Sequence, residues 1–307
     1  TEAVYPVSDS FGLPSVEELS TFDAIAWTGS NLTIHSGAPE VNVQLELARL
    51  AYASGVPQFG SCWGMQIAAQ SAGIATLANP AGREQGLARK VALTAAGRRH
   101  PLFRGAPSCF DGFTAHTDMV CPDAARTTNA GPVECTVLAG NAWTPVQALA
   151  VRYLGGEFWG VQYHPEFDLR EAALLMNVAS ALLIKQGTFT AQADIDEHVK
   201  LMLELADDPT REDLRLRLGI DDDVLDADKR CAAPARWLTE LVYPRASQRP
   251  RNCGATEHLA PYTAAPGVAS TVSQYESSQS SAHKHTRYRA YSTQATQQAT
   301  IPECDAL

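Results

Sequence analysis

The sequence predicts an α/β fold: a mostly parallel sheet flanked by helices, with a small helical extension and a polar tail after it. Three observations carry this reading. Strand-like and helix-periodic runs alternate closely over 22–73, which implies right-handed βαβ units. From about 90 to 161 the chain is rich in short β-branched or aromatic runs separated by Gly, Pro and Asn, a strand-rich pattern. Helical apolar spacing returns over 168–187 and ends at Gly187, which closes the sandwich.

Taken in order, "FDAIAWTGSN" (22–31) reads as a buried strand over 24–27 that stops at a Gly-containing turn. Val41, Leu45, Ala48 and Tyr52 recur on one helical face, and Gly55 ends that helix. A short strand at 56–59 runs into "GSCWG" (60–64) and then into a helix that stops near Gly73. "RKVALTA", "TVLAG", "VQALAVRY" and "EFWGVQYH" supply the middle strands. Beyond residue 190, Ile195, Val199, Met202 and Leu205 form a helix stripe that Asp208-Pro209 breaks. Thr210 with Asp213 predicts a capping box for a second short helix. "DDDVLDADKR" (221–230) reads as a solvated acidic turn, because it lacks the Gly and distal Glu of a calcium loop. Trp237, Leu241 and Val242 predict a last helix docked on the core.

The resulting division is 1–190 for the α/β body, 191–248 for the helical extension and 249–307 for the tail. "STVSQYESSQSSAHKHTRYRAYSTQATQQAT" has few large aliphatics. It cannot bury enough apolar surface to offset ordering entropy and is read as disordered. His283 and His285 within it read as a chance pair rather than metal ligands.

The 307 residues carry a formal net charge of -10, with 24 Lys and Arg against 34 acids. That balance argues against a broad nucleic-acid or anionic-membrane surface. No apolar run approaches the roughly 20 residues needed to span a bilayer, and "TEAVYPVSDS" lacks the basic and apolar regions of a secretory signal. Seven cysteines (62, 109, 121, 135, 231, 253 and 304) are odd in number, irregular in spacing and without a C-x-x-C. Neither a disulfide framework nor a metal site is expected, and a reducing, cytoplasmic location is. The sequence begins with Thr rather than Met, which leaves a further N-terminal segment open.

In "GSCWG" the cysteine lies two positions from a glycine on either side. A packing cysteine needs no such bracket. A nucleophile on a sharp strand-to-helix turn does, because the turn brings the flanking positions so close that side chains there clash. With Cys62 at the head of the helix, free N–H groups and the helix dipole point at its sulfur. Such placement lowers a thiol pKa from about 8.5 to roughly 3.5–7.5, and the N–H of Trp63 faces the oxyanion formed by attack on a carbonyl. The pentapeptide alone fits a buried structural cysteine equally well. "FWGVQYHPEFD" (158–168) supplies a base. Its strand delivers His164 to the carboxyl end, where active sites of parallel sheets collect. Glu166, across Pro165, is placed to accept from one imidazole nitrogen while the other faces the sulfur.

"GSCWGMQ" and "GVQYHPE" resemble the two signature blocks of class I glutamine amidotransferases, which have Cys-His-Glu triads. Within that family the pattern is most similar to GMP synthase-like stand-alone glutamine amidotransferase domains, over roughly residues 20 to 185. The resemblance implies a flavodoxin-like sandwich and catalytic roles for Cys62, His164 and Glu166. It also implies an oxyanion and substrate set of Gly29, Trp63, Gln66 and His116. Gly29 lies in "WTGSN", the family's oxyanion loop. Gln66 falls on the Gln of a Cys-x-Gly-His-Gln run, and His116 and Asp118 fall on a His-Gly-Asp block near bound glutamine. "AGREQG" (81–86) resembles a Gly-Arg-Arg/Glu stretch.

The departures bear on substrate choice. Met65 replaces the His of the elbow run, Ser61 replaces an aliphatic residue, Ser30 follows Gly29 in place of a second Gly, and Thr117 replaces a Gly. The family's first strand and helix have no counterpart before "EAVYPV". Either the sheet has an exposed edge or gap, or that segment lies outside this sequence.

The implied reaction is hydrolysis of the glutamine side-chain amide through a glutamyl thioester, with glutamine as substrate and no cofactor. The sequence contains no G-x-x-x-x-G-K-[ST] loop and no second Gly-rich nucleotide motif. The ammonia acceptor then belongs to a separate synthase or acceptor subunit, or the chain acts alone as a hydrolase of glutamine or a γ-glutamyl compound. Two rival readings are an α/β-hydrolase with a cysteine nucleophile, which His-Pro-Glu at a strand end speaks against, and a non-catalytic module that keeps the fold without turnover.

Overall fold

The computed structural model describes residues 3–6, 12–122 and 131–248. The chain divides into two units, Thr1–Pro250 and Arg251–Leu307, and the described residues lie in the first. The tail expected to be disordered, 249–307, lies outside them.

The alternation read from the sequence is present. Strand β1 (Ile25–Trp27), helix α2 (Pro39–Ala53), strand β2 (Gln58–Ser61) and helix α3 (Trp63–Ser71) follow a short helix α1 (Val16–Leu19). Pro39 opens α2 where its missing N–H costs nothing. Gly55, at φ 70°, turns the chain out of that helix toward β2. Strands β3 (Ala75–Ala78), β4 (Glu84–Leu93), β5 (Cys109–His116), β6 (Asp118–Cys121), β7 (Glu134–Gly140), β8 (Ala148–Tyr153) and β9 (Gly156–Val161) make up the strand-rich middle.

Seven strands form one sheet in the order β1-β2-β9-β8-β7-β4-β5, and β3 pairs with β6 in a small second sheet. The α/β class holds, with helices flanking the sheet. The parallel pairing is concentrated where the cysteine turn lies, as β1 runs parallel to β2 and β2 parallel to β9. From β9 outward the pairs are antiparallel. The cause is local. Leu154 and Gly155 join β8 to β9 with φ values of 49° and 83°, a two-residue hairpin turn, whereas a parallel neighbour needs a long crossover. Among the described residues β1 ends the sheet. At the other end β5 reaches the segment that follows β9, where the N–H of His164 donates to Phe113 O at 2.7 Å.

The helical run at 168–187 is two helices, α4 (Leu169–Val178) and α5 (Ser180–Lys185), broken at Ala179. Helix α6 (Gln192–Asp207) buries Ile195, Val199, Met202 and Leu205, the stripe read from the sequence, in one cluster with Phe113 and α4. Helix α7 (Glu212–Leu218) follows, without the expected capping box. Thr210 Oγ1 donates to Asp208 instead, and Asp213 pairs with Arg211. The acidic turn is also tied down. In helix α8 (Asp222–Leu225), Asp222 pairs with Arg215 and Lys229, and Asp223 accepts from the N–H of Asp111. Helices α9 (Ala227–Arg230) and α10 (Ala232–Trp237) lead into a π-helical turn over Leu238–Val242 and a last helix α11 (Tyr243–Gln248). Trp237, Leu241 and Val242 are buried against Phe59 and Trp159, so this end docks on the sheet as expected. No helix among the described residues is long and apolar enough to cross a membrane.

Candidate active site

Cys62 caps α3 between the end of β2 and the helix, with φ 48° and ψ -105°. That conformation is strained for a residue with a side chain and is held by its surroundings. The N–H of Cys62 donates to Val161 O at 2.9 Å, and its carbonyl accepts from Gln66 N at 3.1 Å. The glycine bracket has the cause read from the sequence. A Cβ on Gly60 would lie 2.9 Å from the Cα of Gly64, and one on Gly64 would lie 2.6 Å from Trp27 Cβ. Neither position tolerates a side chain.

β9 runs parallel to β2 and carries His164 to the same end of the sheet. The imidazole lies within electrostatic reach of Cys62, and its Nδ1 lies 2.7 Å from Glu166 Oε1. Phe167 stacks flat on the ring at 3.9 Å between centroids. Gly29 closes a further side, since a Cβ there would lie 3.1 Å from His164 Cε1. Cys62 and His164 are buried, whereas the Glu166 side chain is 46% exposed. Burial pulls the His164 pKa down, but its hydrogen bonds to Cys62 and Glu166 and the charges of both raise it to about 9. Burial pushes Glu166 up, and the bond and charge of His164, helped by Ser61, bring it below the usual carboxylate range.

The other expected site residues divide into two groups. Gly29 and Trp63 lie at the turn. As the first residue of α3, Trp63 has a backbone N–H with no acceptor inside the helix, while its indole donates to Gln44 Oε1 at 2.8 Å. The side chains of Gln66 and His116 are engaged in the interior. Gln66 Nε2 donates to Asp118 O at 3.2 Å and to Gln162 Oε1 at 3.3 Å. Both His116 nitrogens are occupied, Nδ1 by Asp118 O at 2.9 Å and Nε2 by Glu84 at 3.0 Å. His116 thus has no free ring nitrogen in this arrangement.

Sequence reasoning gave no role to several neighbours of these residues. Ser61 Oγ donates to Glu166 Oε1 at 3.0 Å, and its departure from an aliphatic residue was the available signal. Half-buried Arg83 bonds Gln85 and Thr117. Burial lowers its pKa, and the charge of Cys62 acts in the opposite sense, so the two groups interact. From the extension, Arg230 Nε and Cys231 Sγ both donate to Pro165 O, at 3.3 and 3.2 Å. Nothing local in the sequence announces that grip on the His-Pro-Glu segment.

A cysteine elbow beside a histidine at the carboxyl end of a parallel strand defines a class of α/β sandwich hydrolases and transferases. The family profile of class-I glutamine amidotransferases matches residues 22–179. The chain belongs to the class-I glutamine amidotransferase family, an enzyme family of glutamine amide hydrolysis. It is 31% identical over 236 residues to a γ-glutamyl-L-1-hydroxyisopropylamide hydrolase of a Pseudomonas species, across 75% of this chain and 76% of that protein. It is 30% identical over 155 residues to the glutamine-hydrolysing GMP synthase of Thermomicrobium roseum, across 49% of this chain but only 26% of that protein. A solved glutamine amidotransferase from Methylobacillus flagellatus shares the fold, with a TM-score of 0.50 at 18% identity over 80% of this chain and 84% of that one.

Proposed function

We propose that the chain hydrolyses the side-chain amide of glutamine or of a γ-glutamyl amide through Cys62, His164 and Glu166. The observation that carries this reading is the 2.7 Å hydrogen bond between His164 and Glu166 beside Cys62, which sits at a glycine-bracketed elbow. The Cys62 thiolate attacks the amide carbonyl, and the N–H groups of Trp63 and Gly29 receive the oxyanion. Collapse breaks the C–N bond, leaves a glutamyl thioester on Cys62, and passes a proton from His164 to the departing amine. His164 then takes a proton from water, whose oxygen adds to the thioester, and glutamate leaves. Glu166 orients the imidazole and supports its cation, and Arg83 supplies positive charge for the α-carboxylate of the glutamyl group.

We read residues 1–190 as the catalytic part and 191–248 as its extension. Two acceptors for the released nitrogen follow from the relatives. The match to GMP synthases supports ammonia delivery to a separate synthase subunit. The match to the γ-glutamyl amide hydrolase is longer than the amidotransferase segment, and favours a chain that acts alone and releases the amine to solvent. The test is glutamate release from glutamine and from γ-glutamyl amides by the purified chain, with mass spectrometry of the trapped thioester. Cys62→Ala should abolish both signals, and equal turnover by that variant would sink the mechanism.

A further inference from the structure

A cavity of about 410 Å³ adjoins His164 where the extension covers the body. It has the size of a small-molecule site. Phe103, Phe110 and Tyr163 give it an aromatic wall, and α8 to α10 close it from the extension side. Most charged groups in its lining are already engaged. Asp111 pairs with Arg89 and accepts from the N–H of Lys90. Asp223 accepts from the N–H of Asp111, Lys229 pairs with Asp222, and Arg230 is spent on the carbonyls of Pro165 and Val224.

Arg236 differs. It lines the cavity, and among the described residues its guanidinium has neither a hydrogen bond nor an ion pair. It is half-buried, and its charge reaches Tyr163, where it opposes the burial that raises that phenol. The Tyr163 hydroxyl likewise has no hydrogen-bond partner among the described residues. A guanidinium and a phenol at an apolar wall form a receptor for a flat or apolar group that ends in an anion.

The position suggests which part of a substrate enters. Phe167 covers one face of the His164 ring and Gly29 closes against Cε1, and the cavity is lined by His164 itself, the residue that protonates the departing amine. We propose that this cavity is the amine-side subsite, and that it selects γ-glutamyl amides whose amine carries an apolar or aromatic body ending in a carboxylate held by Arg236. The assignment rests on the hydrolase reading above and deepens it.

Chromogenic γ-glutamyl anilides test it directly, because γ-glutamyl-4-nitroanilide and γ-glutamyl-3-carboxy-4-nitroanilide differ by one ring carboxylate. The full chain should favour the carboxylated anilide in kcat/KM by about tenfold or more, the size of a charge-assisted contact. Arg236→Gln should erase that ratio and Arg236→Lys should keep part of it, with unchanged melting for both. A second measurement needs no turnover. Calorimetry on Cys62→Ser should detect the amine product 5-amino-2-nitrobenzoate, and adding Arg236→Gln should weaken that binding at least tenfold. Equal kcat/KM for the two anilides, or product binding indifferent to Arg236, would overturn the subsite and leave glutamine hydrolysis standing. Product binding that depends on Arg236, in a chain that turns over no γ-glutamyl amide, would support the anion site and sink the hydrolase reading alone.

Discussion

The molecule contains two histidine–carboxylate pairs of similar geometry in unlike settings. His164 meets Glu166 at 2.7 Å, and His116 meets Glu84 at 3.0 Å. In the second pair both side chains are almost completely enclosed. Glu84 is saturated by His116, Asn141, Thr144 and Gln147. Burial pushes its pKa up, and those bonds carry it below the usual range. In the first pair the carboxylate is half open to water, and the imidazole also feels the Cys62 thiol. A paired histidine becomes an acid–base group only when its second nitrogen faces something that reacts. A histidine with two internal acceptors is a brace.

Alanine at the two histidines should therefore give opposite phenotypes, and this is the largest expected contrast. His164→Ala should lower kcat about a thousandfold, within the usual range for loss of a general acid–base, with a smaller loss of stability than His116→Ala. His116→Ala removes a donor from a buried carboxylate and should cost about 3 kcal/mol of stability, while folded protein keeps most of its turnover. Chemical denaturation and initial rates on both variants read this out. Loss of turnover without loss of stability in His116→Ala would restore it to the substrate site.

The pH dependence sharpens the same contrast. His164 is raised to about 9 in the folded protein. Its contribution to stability is full below its unfolded value of about 6.5 and is lost as pH rises through about 9. Glu166 is lowered, so its contribution is present above its ordinary range and is lost as pH falls below it. Turnover should decline on the alkaline side near pH 9, where His164 no longer holds a proton for the leaving amine. Glu166→Gln should move that limb to lower pH. An alkaline limb indifferent to Glu166→Gln would break the link between the two residues.

The smallest effect is expected at Ser61, whose hydroxyl donates to the same carboxylate oxygen that His164 meets. Ser61→Ala should slow kcat roughly fivefold, about 1 kcal/mol for one such bond, and leave KM for glutamine near its parent value. A change in KM alone would show that Ser61 acts on substrate fit and not through Glu166.

What the sequence disclosed was whatever a short stretch forces on itself. Gly60 and Gly64 are demanded by backbone approach, and His164-Pro165-Glu166 spans a single strand end, so the elbow and the pair were legible. The α6 stripe and the docking of Trp237 were legible because periodic burial is written locally. The antiparallel half of the sheet was not, since a strand's apolar run does not encode its partner's direction. β3 passed unnoticed because "ATLA" carries little β-branching and is held by β6, more than forty positions away. The break at Ala179 has no Gly or Pro to mark it. Nor was the engagement of His116 legible, because its partner, Glu84, comes from another strand.

The carbonyl of Pro165 takes a donor from Arg230 and another from Cys231, 65 and 66 positions downstream. The proposed catalytic segment and the residues that hold it thus lie on stretches far apart in the chain. A recombination joint near residue 190 would preserve the whole triad in a transplanted body and still deliver it with an unsupported hinge between His164 and Glu166. The helical appendage and the His-Pro-Glu segment are in this sense one mechanical unit.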